Sequence, residues 1–485
     1  MRRWIVLALV LSGCGGVPEP ETPRVRNILF ITADDLGLQL SSYGETRIVT
    51  PHLDKLAEQG VRFEVAYTAQ ASCSPSRSAM FTGRYVHATG QYGLTNTGYG
   101  LHEDLRDKTI PALLEPLGYS TGIIGKLHVN PDDAFPFDVR HTNYAKAREP
   151  EWVAERAKEF FEESGDAPFF LMVNYSDPHV FRRPPPRNDE RYFPPQVAGY
   201  PADPIEPSAE TLFSFQGVDT PEQRDRTGNY LNAVKRLDDG VGLLLAELEA
   251  TGRADETIVI FVSDHGPPFA RGKTTTYEPG LRVPYIVRWP GVSRVGAVSR
   301  AMVSTVDVLP TAFDAIGVEA PEGVDGRSLR SVLQDDGASW RDYLVGEFHY
   351  HGSRPFYPRR AIRDNRYQLI WNARAGEERP ATGIDGDKAM QVSQEARYDG
   401  TPVREAFETF ADPPRFELYD THADPDGLKN LAGSREVAEV EQRLKAALAE
   451  WQERTEDPFR DPEFIQRMAE AGAPATREAP QPEKN

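Results

Sequence analysis

Acidic residues follow two segments that have the composition of buried strands. Asp34 and Asp35 come after the first β-rich run of the chain, and Asp264 and His265 follow a later apolar run. Each pair alone is typical of a helix cap or a solvated turn. In open α/β sheets, however, ligands bind beyond the carboxyl ends of the strands, and adjacent carboxylates repel one another unless a cation lies between them. The two pairs together predict a hard divalent metal ion bound mainly by oxygen.

A cysteine with fixed polar neighbours forms the most specific motif. Residues 71–84 read Ala-Ser-Cys-Ser-Pro-Ser-Arg-Ser-Ala-Met-Phe-Thr-Gly-Arg, with Cys73 ahead of Arg77. Pro75 suits the first position of a helix, so Cys73 is expected at a helix N-terminus, where free N–H groups attract anions. A lone buried cysteine ahead of a helix would explain Cys73 itself. It would not explain the proline, the arginine and the Thr-Gly-Arg at fixed offsets.

The pattern C-x-P-S-R-x-x-x-x-T-G-R over residues 73–84 resembles the signature of type I sulfatases, in the alkaline-phosphatase-like superfamily. Residues 118–128 resemble the second signature of that family and place Lys126 and His128 at a strand end. In this family the cysteine is converted to formylglycine, whose hydrated aldehyde is the nucleophile. The resemblance therefore implies that Cys73 is modified by a formylglycine-generating maturation enzyme, and that the cofactors are Ca²⁺ and formylglycine.

The resemblance also implies roles for individual residues. The implied metal ligands are Asp34, Asp35, the modified Cys73, Asp264 and His265. The implied catalytic residues are Cys73, Arg77, Lys126, His128, His179 and Lys273, of which Lys126, His179 and Lys273 would also bind substrate. We further expect His351 and Arg354, from a later loop, to lie near the sugar, the alternative being a solvated loop.

Other motifs resemble one branch of the family, the sulfamidases or heparan N-sulfatases, from about residue 25 to about residue 459. They include residues 122–126, Asp177-Pro178-His179, residues 416–420 and Trp451. Two positions depart from that branch. His265 stands where sulfamidases have asparagine, and Lys273 stands where they have arginine. A nitrogen ligand alters a calcium shell, and lysine is a point charge rather than a bidentate fork, so both departures bear on metal and sulfate binding.

The expected reaction is hydrolysis of the N-sulfo group of a terminal glucosamine. Arg77 would hold the nucleophile, and His179 or Lys273 would protonate the leaving amine. His128 would act as the base on the second hydroxyl of the hydrate, whose collapse to the aldehyde expels sulfate. Three alternatives remain open: an O-sulfatase acting on a glycosaminoglycan or another sulfated carbohydrate, a phosphonate or phosphate ester hydrolase, and an inactive lipoprotein that binds sulfated glycans.

The overall charge restricts the partners. The chain of 485 residues has 55 Lys+Arg and 74 Asp+Glu, which gives a net charge of −19. Nucleic-acid binders carry a basic face, so the composition argues against nucleic acid as a partner. The same charge disfavours extended binding of long polyanions and favours a short sulfated saccharide in a small basic pocket.

Alternating strand and helix patterns predict the framework that positions these residues. Over residues 25–340 such alternation indicates an α/β sandwich with a mostly parallel central sheet, as the sulfatase resemblance also implies. The helical run 226–248 carries an apolar stripe and is expected in the core. Residues 341–460 have strand patterns and a closing helix at 437–451, which predicts a smaller antiparallel α+β domain. Residues 461–485 are expected to form a polar tail.

The N-terminus resembles a bacterial lipoprotein signal. Two arginines precede a short apolar run, and the sequence Leu-Ser-Gly-Cys ends at Cys14. The run is too short to span a bilayer, although a buried strand with an incidental cysteine is the alternative reading. Residues 1–14 are thus predicted to be the signal, Cys14 the lipidated residue and residues 15–24 a tether. Because Gly15 resembles the outer-membrane sorting pattern, we expect an exported protein that contacts the membrane through its lipid anchor only.

Overall fold

The computed structural model describes residues 25–183, 186–187, 190–352 and 355–474. In chain order its strands are β1 (Asn27–Ala33), β2 (Val61–Phe63), β3 (Ala66–Tyr67), β4 (Ser120–Gly125), β5 (Val139–His141), β6 (Phe169–Asn174), β7 (Phe181–Arg182), β8 (Arg191–Tyr192), β9 (Thr257–Ser263), β10 (Tyr285–Arg288), β11 (Ala297–Ser299), β12 (Val303–Ser304), β13 (Leu344–Phe348), β14 (Arg359–Arg363), β15 (Tyr367–Asn372) and β16 (Phe416–Asp420). Its α-helices are α1 (Pro51–Gln59), α2 (Cys73–Thr82), α3 (Ile110–Leu114), α4 (Pro150–Ser164), α5 (Pro221–Ala250), α6 (Glu278–Leu281), α7 (Val308–Ala315), α8 (Arg330–Gln334), α9 (Ala389–Val392), α10 (Pro402–Ala411), α11 (Ala438–Arg454) and α12 (Pro462–Ala471).

The central sheet contains eight strands of the described chain, in the order β11-β2-β10-β9-β1-β6-β4-β5. Strands β9, β1, β6, β4 and β5 run parallel, whereas β10 is antiparallel to both of its neighbours. The register pairs Thr32 with Asn174 and Ala33 with Ser263, so the carboxyl ends of β6, β1 and β9 lie side by side. The predicted α/β sandwich with a mostly parallel sheet is confirmed.

Helices cover both faces of this sheet, because successive residues of a strand point to opposite sides. In β1, Ile28 and Phe30 belong to the core that includes residues of α2, α3 and α7. Leu29 and Ile31 belong to the core on the other face, with residues of α1, α4 and α5. Every residue of β1 and β9 is buried, which is the environment of inner strands in a parallel sheet.

Helix α5 extends the predicted apolar run in both directions. It begins after Thr220, whose hydroxyl accepts a hydrogen bond from the backbone N–H of Gln223 at 3.1 Å, and Pro221 occupies its first turn. Both features favour a helix start at this point. The predicted stripe is buried against the sheet at Leu231, Val234, Leu237, Val241, Leu244 and Leu248.

The C-terminal region contains an antiparallel sheet in the order β13-β14-β15-β16, as predicted. The strand pattern over residues 360–371 is a hairpin in the structure. The Asp364 side chain accepts hydrogen bonds from the backbone N–H groups of Arg366 and Tyr367, at 2.8 and 2.7 Å, and so stabilises the turn. Helices α9 and α10 were not anticipated from the sequence.

A shared hydrophobic core joins this region to the nucleophile-bearing part of the chain. It contains Val345 of β13, Leu369 of β15 and Leu444 of α11, together with Ala79 of α2 and Tyr85 just beyond that helix. The smaller region therefore packs directly on the helix that carries Cys73.

The predicted polar tail needs a correction, because it begins with helix α12. Asp461 caps this helix by accepting a hydrogen bond from the backbone N–H of Glu463 at 2.9 Å. Ile465 is buried, and Phe464 and Met468 pack against the C-terminal core. Charged residues around these three apolar positions hid the helical stripe. Within the described ranges, none of the helices has both the length and the apolar composition that crossing a membrane requires.

Candidate active site

The residues at the ends of four neighbouring strands meet at one edge of the central sheet. The strands are β9, β1, β6 and β4, and the residues are Asp264, His265, Asp34, Asp35, Asn174 and Lys126. The backbone N–H of Asp264 donates to the carbonyl of Ala33 at 3.0 Å, which extends the pairing of β1 and β9 into the site. Asp34, Asp35, Asp264 and His265 have no exposed surface. The charged side chains that the sequence analysis selected therefore lie together beyond the carboxyl ends of the strands, as expected for an open α/β sheet.

Cys73 is the first residue of α2, directly after Ser72. Pro75 consequently occupies the third helical position rather than the predicted first position. Proline is tolerated there because the first N–H groups of a helix have no acceptor within it. Cys73 Sγ lies 3.7 Å from Asp34 Oδ1 and 3.4 Å from His265 Nε2. The start of α2 thus faces the acidic cluster.

Each carboxylate of the cluster has its own basic partner. Lys126 Nζ lies 2.7 Å from Asp34 Oδ2, and the hydroxyl of Tyr144 donates to the same oxygen at 2.8 Å. Lys273 Nζ lies 2.8 and 3.0 Å from the two carboxylate oxygens of Asp35. These contacts offset the repulsion between adjacent buried carboxylates.

Arg77 connects three of the converging strand ends. Its Nε and Nη2 donate to Asp264 Oδ2 at 3.2 and 3.0 Å. Its Nη1 donates to Asn174 Oδ1 at 2.8 Å and to the carbonyl of Lys126 at 3.1 Å. A planar guanidinium can make these contacts simultaneously, which a lysine cannot. Arg77 therefore fixes the positions of the groups around Cys73.

Burial and the nearby basic residues shift the pKa values of the acidic groups in opposite directions. Burial alone would raise the pKa of Asp34, but Lys126, His179, Arg77 and Lys273 together outweigh it and hold that pKa well below its usual range. Burial dominates at Asp35 and raises its pKa to about 6, against the opposing effect of Lys273. Burial also disfavours the thiolate of Cys73, yet Lys126 and Lys273 outweigh burial and lower the Cys73 pKa.

The acidic cluster has the donor set of a cation site. One ligand atom from each of Asp34, Asp35, Cys73 and His265 lies within 4.8 Å of the others. Burial opposes charging of His265, but Asp264 and Asp35 raise its pKa to about 9, which shows that the carboxylates favour positive charge at this point. Asp264 Oδ1 lies next to this group, 3.7 Å from His265 Nε2. With Asp264 the cluster offers three carboxylates and one imidazole, which fit a Ca²⁺ ion because these donors are predominantly oxygen.

Two histidines at the edge of the cluster have a nitrogen available for proton transfer. His128 Nδ1 is buried and has no hydrogen-bond partner among the described residues. Burial and the neighbouring Lys126 hold the pKa of His128 well below its usual value, so the ring is neutral. His179 Nδ1 donates to the carbonyl of Val180 at 2.9 Å, which leaves Nε2 facing Asp35 Oδ2 at 3.8 Å. Burial also lowers the pKa of His179.

The C-terminal region contributes His351 to the same site. His351 Nδ1 lies 2.7 Å from the hydroxyl of Ser72, the residue that precedes α2. Arg354, which was predicted to lie near the sugar, and Cys14, predicted to carry lipid, lie outside the described residues. The structure therefore places one of the two predicted sugar-binding residues beside the start of α2.

Sequence reasoning missed three residues of this site. Asn174 ends β6, so the rule that located Asp34 and Asp264 could have located it as well. Tyr144 and Asp385 lie on loops, where no periodic pattern marks them. Asp385 Oδ2 lies 3.3 Å from Lys273 Nζ, which therefore bridges two carboxylates.

The fold and this charged site define a hydrolase of the sulfatase family. The sulfatase family model matches residues 26–318, and the model described as N-sulphoglucosamine sulphohydrolase, C-terminal, matches residues 270–380. The first match covers more than half of the chain, and the chain belongs to the sulfatase family.

Individual relatives agree with this placement. The chain is 32% identical to human N-sulphoglucosamine sulphohydrolase over 93% of each chain. It is 28% identical to an ulvan-active sulfatase of Formosa agariphila, over 88% of this chain and 79% of that one. Among solved structures, a protein in complex with its substrate D-glucosamine-2-N,6-O-disulfate matches with a TM-score of 0.66 and 24% identity, over 91% of this chain and 99% of that chain. The chain is thus a homologue of the sulfamidases, with the same fold as the solved neighbour.

Proposed function

We propose that this protein releases sulfate from the N-sulfo group of glucosamine at the end of a short saccharide. The observation that carries the proposal is the position of Cys73, at a helix start beside the buried Lys273, the largely buried Lys126 and three buried carboxylates. Support for the substrate comes from the C-terminal match to N-sulphoglucosamine sulphohydrolase, which includes Lys273 and His351.

The proposed cofactors are a formylglycine formed from Cys73 and a calcium ion held by Asp34, Asp35, Asp264 and His265. When present, formylglycine supplies a hydroxyl nucleophile and calcium neutralises charge on the sulfuryl oxygens. Three carboxylates within one buried cluster fit the ion, and the helix N-terminus fits a group that must receive an anion.

The basic side chains prepare the pocket for one anionic group. Lys126 and Lys273, whose side chains are 10% and 2% exposed, supply fixed positive charge in a largely buried site, where such charge stabilises a developing anion most effectively. His128 is neutral, and its Nδ1 has no hydrogen-bond partner among the residues that the structure describes, which suits a general base. These residues act on a single sulfuryl group and do not form an extended basic surface.

His179 is the proposed proton donor to the leaving nitrogen. Its Nδ1 is engaged by the Val180 carbonyl, so Nε2 is the atom that can carry the transferred proton. Burial lowers its pKa, but a bound sulfate anion would favour the protonated ring. Lys273 is the alternative donor, because its ammonium also contacts Asp35, at 2.8 Å from Oδ1, whereas His179 Nε2 lies 3.8 Å from Oδ2.

An O-sulfatase is the second candidate, and two residues favour it. His265 and Lys273 both differ from the sulfamidase pattern and match residues that other sulfatases have. The test is a panel of N-sulfoglucosamine, 6-O-sulfated glucosamine and a phosphate monoester, measured with the purified, matured protein. We expect the highest kcat/KM on N-sulfoglucosamine. Efficient hydrolysis of the 6-O-sulfate with no action on the N-sulfo sugar would replace the first candidate with the second.

The proposed location is the outer membrane, with the protein anchored through lipid on Cys14. Support comes from the basic start, the short apolar run and the Leu-Ser-Gly-Cys sequence. Cys14→Ser is expected to move the protein from the membrane fraction to the soluble fraction without changing kcat/KM. Unchanged membrane fractionation would contradict the proposal.

A further inference from the structure

A carboxylate that the mechanism does not use lies beside both candidate proton donors. Asp385 Oδ2 is 3.3 Å from Lys273 Nζ, and its side chain is 19% exposed. Ligand atoms of Asp385, His179 and Asp35 lie within 4.8 Å of one another. Apart from this ion pair, Asp385 Oδ2 is buried and has no hydrogen-bond partner in the described chain. His179 and Lys273 are the proposed donors of a proton to the leaving atom of the substrate. Asp385 therefore lies beside the position that this atom would occupy.

The loop around Asp385 is built to hold the carboxylate in place. Asp385 has a φ of 47° and Gly386 a φ of 83°, so two successive residues adopt the left-handed region. Such a conformation is uncommon for a residue with a side chain and persists only where neighbouring contacts enforce it. Asp387 supplies those contacts: its Oδ2 accepts hydrogen bonds from the Ala270 backbone N–H and from Gln216 Nε2, both at 2.6 Å. The loop is thereby fixed to the segment that leads to Lys273.

The chemistry of the leaving atom separates two substrate classes at this position. A sulfamate nitrogen carries a hydrogen and can donate it to a carboxylate, whereas the bridging oxygen of a sulfate ester carries none and meets the carboxylate with its lone pairs. Hydrolysis of the sulfamate breaks the S–N bond; the nitrogen keeps the electron pair and takes both protons of one water, and the products are sulfate and an ammonium ion. An ammonium ion beside a carboxylate forms a charge-assisted hydrogen bond.

We infer that Asp385 is a specificity-determining residue that accepts a hydrogen bond from the nitrogen of an N-sulfo substrate and from the amine product. The inference rests on the proposed function. Asp385 transfers no proton in this account. It favours nitrogen over oxygen as the leaving atom through attraction to the first and repulsion of the second, the two means by which a site discriminates.

The test compares two aryl substrates that differ only in the bridging atom, an N-aryl sulfamate and the O-aryl sulfate of the same ring. In Asp385→Asn, we expect the ratio of kcat/KM for the sulfamate to kcat/KM for the sulfate to fall about 50-fold, the effect of a lost hydrogen bond to a charged group. Glu395→Gln removes the same charge at an exposed position of the same region and is expected to leave the ratio unchanged. Thermal unfolding of both variants verifies that they are folded.

Product binding provides a second readout. Glucosamine is expected to inhibit the wild type and to inhibit Asp385→Asn about 10-fold more weakly, with inhibition by inorganic sulfate changed much less. An equal loss for both aryl substrates would overturn the inference and make Asp385 a general requirement for activity. A matching loss on N-sulfated and 6-O-sulfated glucosamine, with the aryl ratio unchanged, would also overturn it and make Asp385 a ligand of sugar hydroxyls. A wild type without activity on any sulfamate would instead refute the proposed function. The two failures are therefore distinguishable.

Discussion

The active-site cluster and a second buried cluster contain the same kinds of side chain but differ in how their polar atoms are paired. The second, here called the interface cluster, consists of His87, Glu347, Arg360 and Asp457, where the C-terminal region packs beyond α2. His87 bonds to Glu347 and to the carbonyl of Thr455. Arg360 donates to both oxygens of Asp457 at 2.8 and 2.7 Å.

The active-site cluster, in contrast, contains buried polar atoms that have no hydrogen-bond partner among the described residues. In the described part of the active site, His128 Nδ1 and Asn174 Nδ2 are buried without hydrogen-bond partners, and Asp385 Oδ2 has an ion pair with Lys273 but no hydrogen bond. Leaving a buried polar group unpaired costs free energy, whereas a completely paired network gives a rigid structure. The comparison indicates that the interface cluster stabilises the fold, and that the active-site cluster is left incomplete for groups that bind to it.

The largest expected effect separates activity from stability. Cys73→Ala should lower kcat by at least ~10⁴-fold, because no other side chain of the cluster can replace the nucleophile. The midpoint of thermal unfolding should stay close to that of the wild type, since the Cys73 side chain makes no strong ion pair. Sulfate release and a thermal scan measure the two quantities. Activity within a few-fold of the wild type would contradict the role of Cys73.

The opposite separation is expected in the interface cluster. Arg360→Ala should lower the free energy of unfolding by about 3 kcal/mol or more, because it leaves Asp457 buried without its ion-pair partner. At a temperature where the variant is folded, kcat should remain within about threefold of the wild type.

Arg366→Ala is the matched control for this change. Its ion pair with Asp420 measures 2.6 Å, but the Arg366 side chain is 53% exposed. Surface pairs contribute about 1 kcal/mol or less, so denaturant titration should show a much smaller loss. Equal losses in the two arginine variants would show that the interface cluster has no special role in stability.

Calcium is expected to affect the active-site cluster alone. A calcium chelator should lower kcat/KM by about 100-fold, and added Ca²⁺ should restore it, because the ion contributes several kcal/mol of charge stabilisation. Calcium should also raise the thermal midpoint of the wild type but not that of Asp35→Asn, in which one proposed ligand is altered. Full activity in excess chelator together with an unchanged midpoint would refute the calcium assignment.

The smallest effect concerns the pH dependence of stability. Burial would lower the pKa of His87, but Glu347 outweighs it and raises that pKa above 6.5. The raised value means that this stabilisation is complete below pH 6.5 and is lost as the pH rises through the folded-state pKa. Denaturant titrations at about pH 6 and about pH 9 should show a loss larger by about 1 kcal/mol in the wild type than in His87→Gln. Identical pH dependence in both proteins would disprove this contribution.

The two clusters also differ in how many of their residues could be predicted from the sequence. Residues at strand ends, such as Asp34 and Lys126, were predictable because parallel strands deliver their carboxyl ends to one edge. Asp385 was not, because its position depends on a loop held by contacts of Asp387 with distant segments. The interface cluster was equally hidden, since Arg360 and Asp457 are far apart in the chain and no sequence pattern links them.

Some elements of the fold were likewise predictable from the sequence, and others were not. Alternating patterns predicted the central sheet and α5, since burial on both faces of a sheet leaves long apolar runs. Helix α12 escaped prediction because its apolar face consists of a few residues among many charges. Elements that depend on local periodicity were therefore predictable, and those that depend on contacts with distant segments were not.

The mass of the peptide that contains Cys73 tests the central claim most directly. In fully active protein purified from its native host, we predict that position 73 carries formylglycine and that the fraction converted matches the fraction of active sites. Fully active protein with an unmodified thiol at Cys73 would contradict the account.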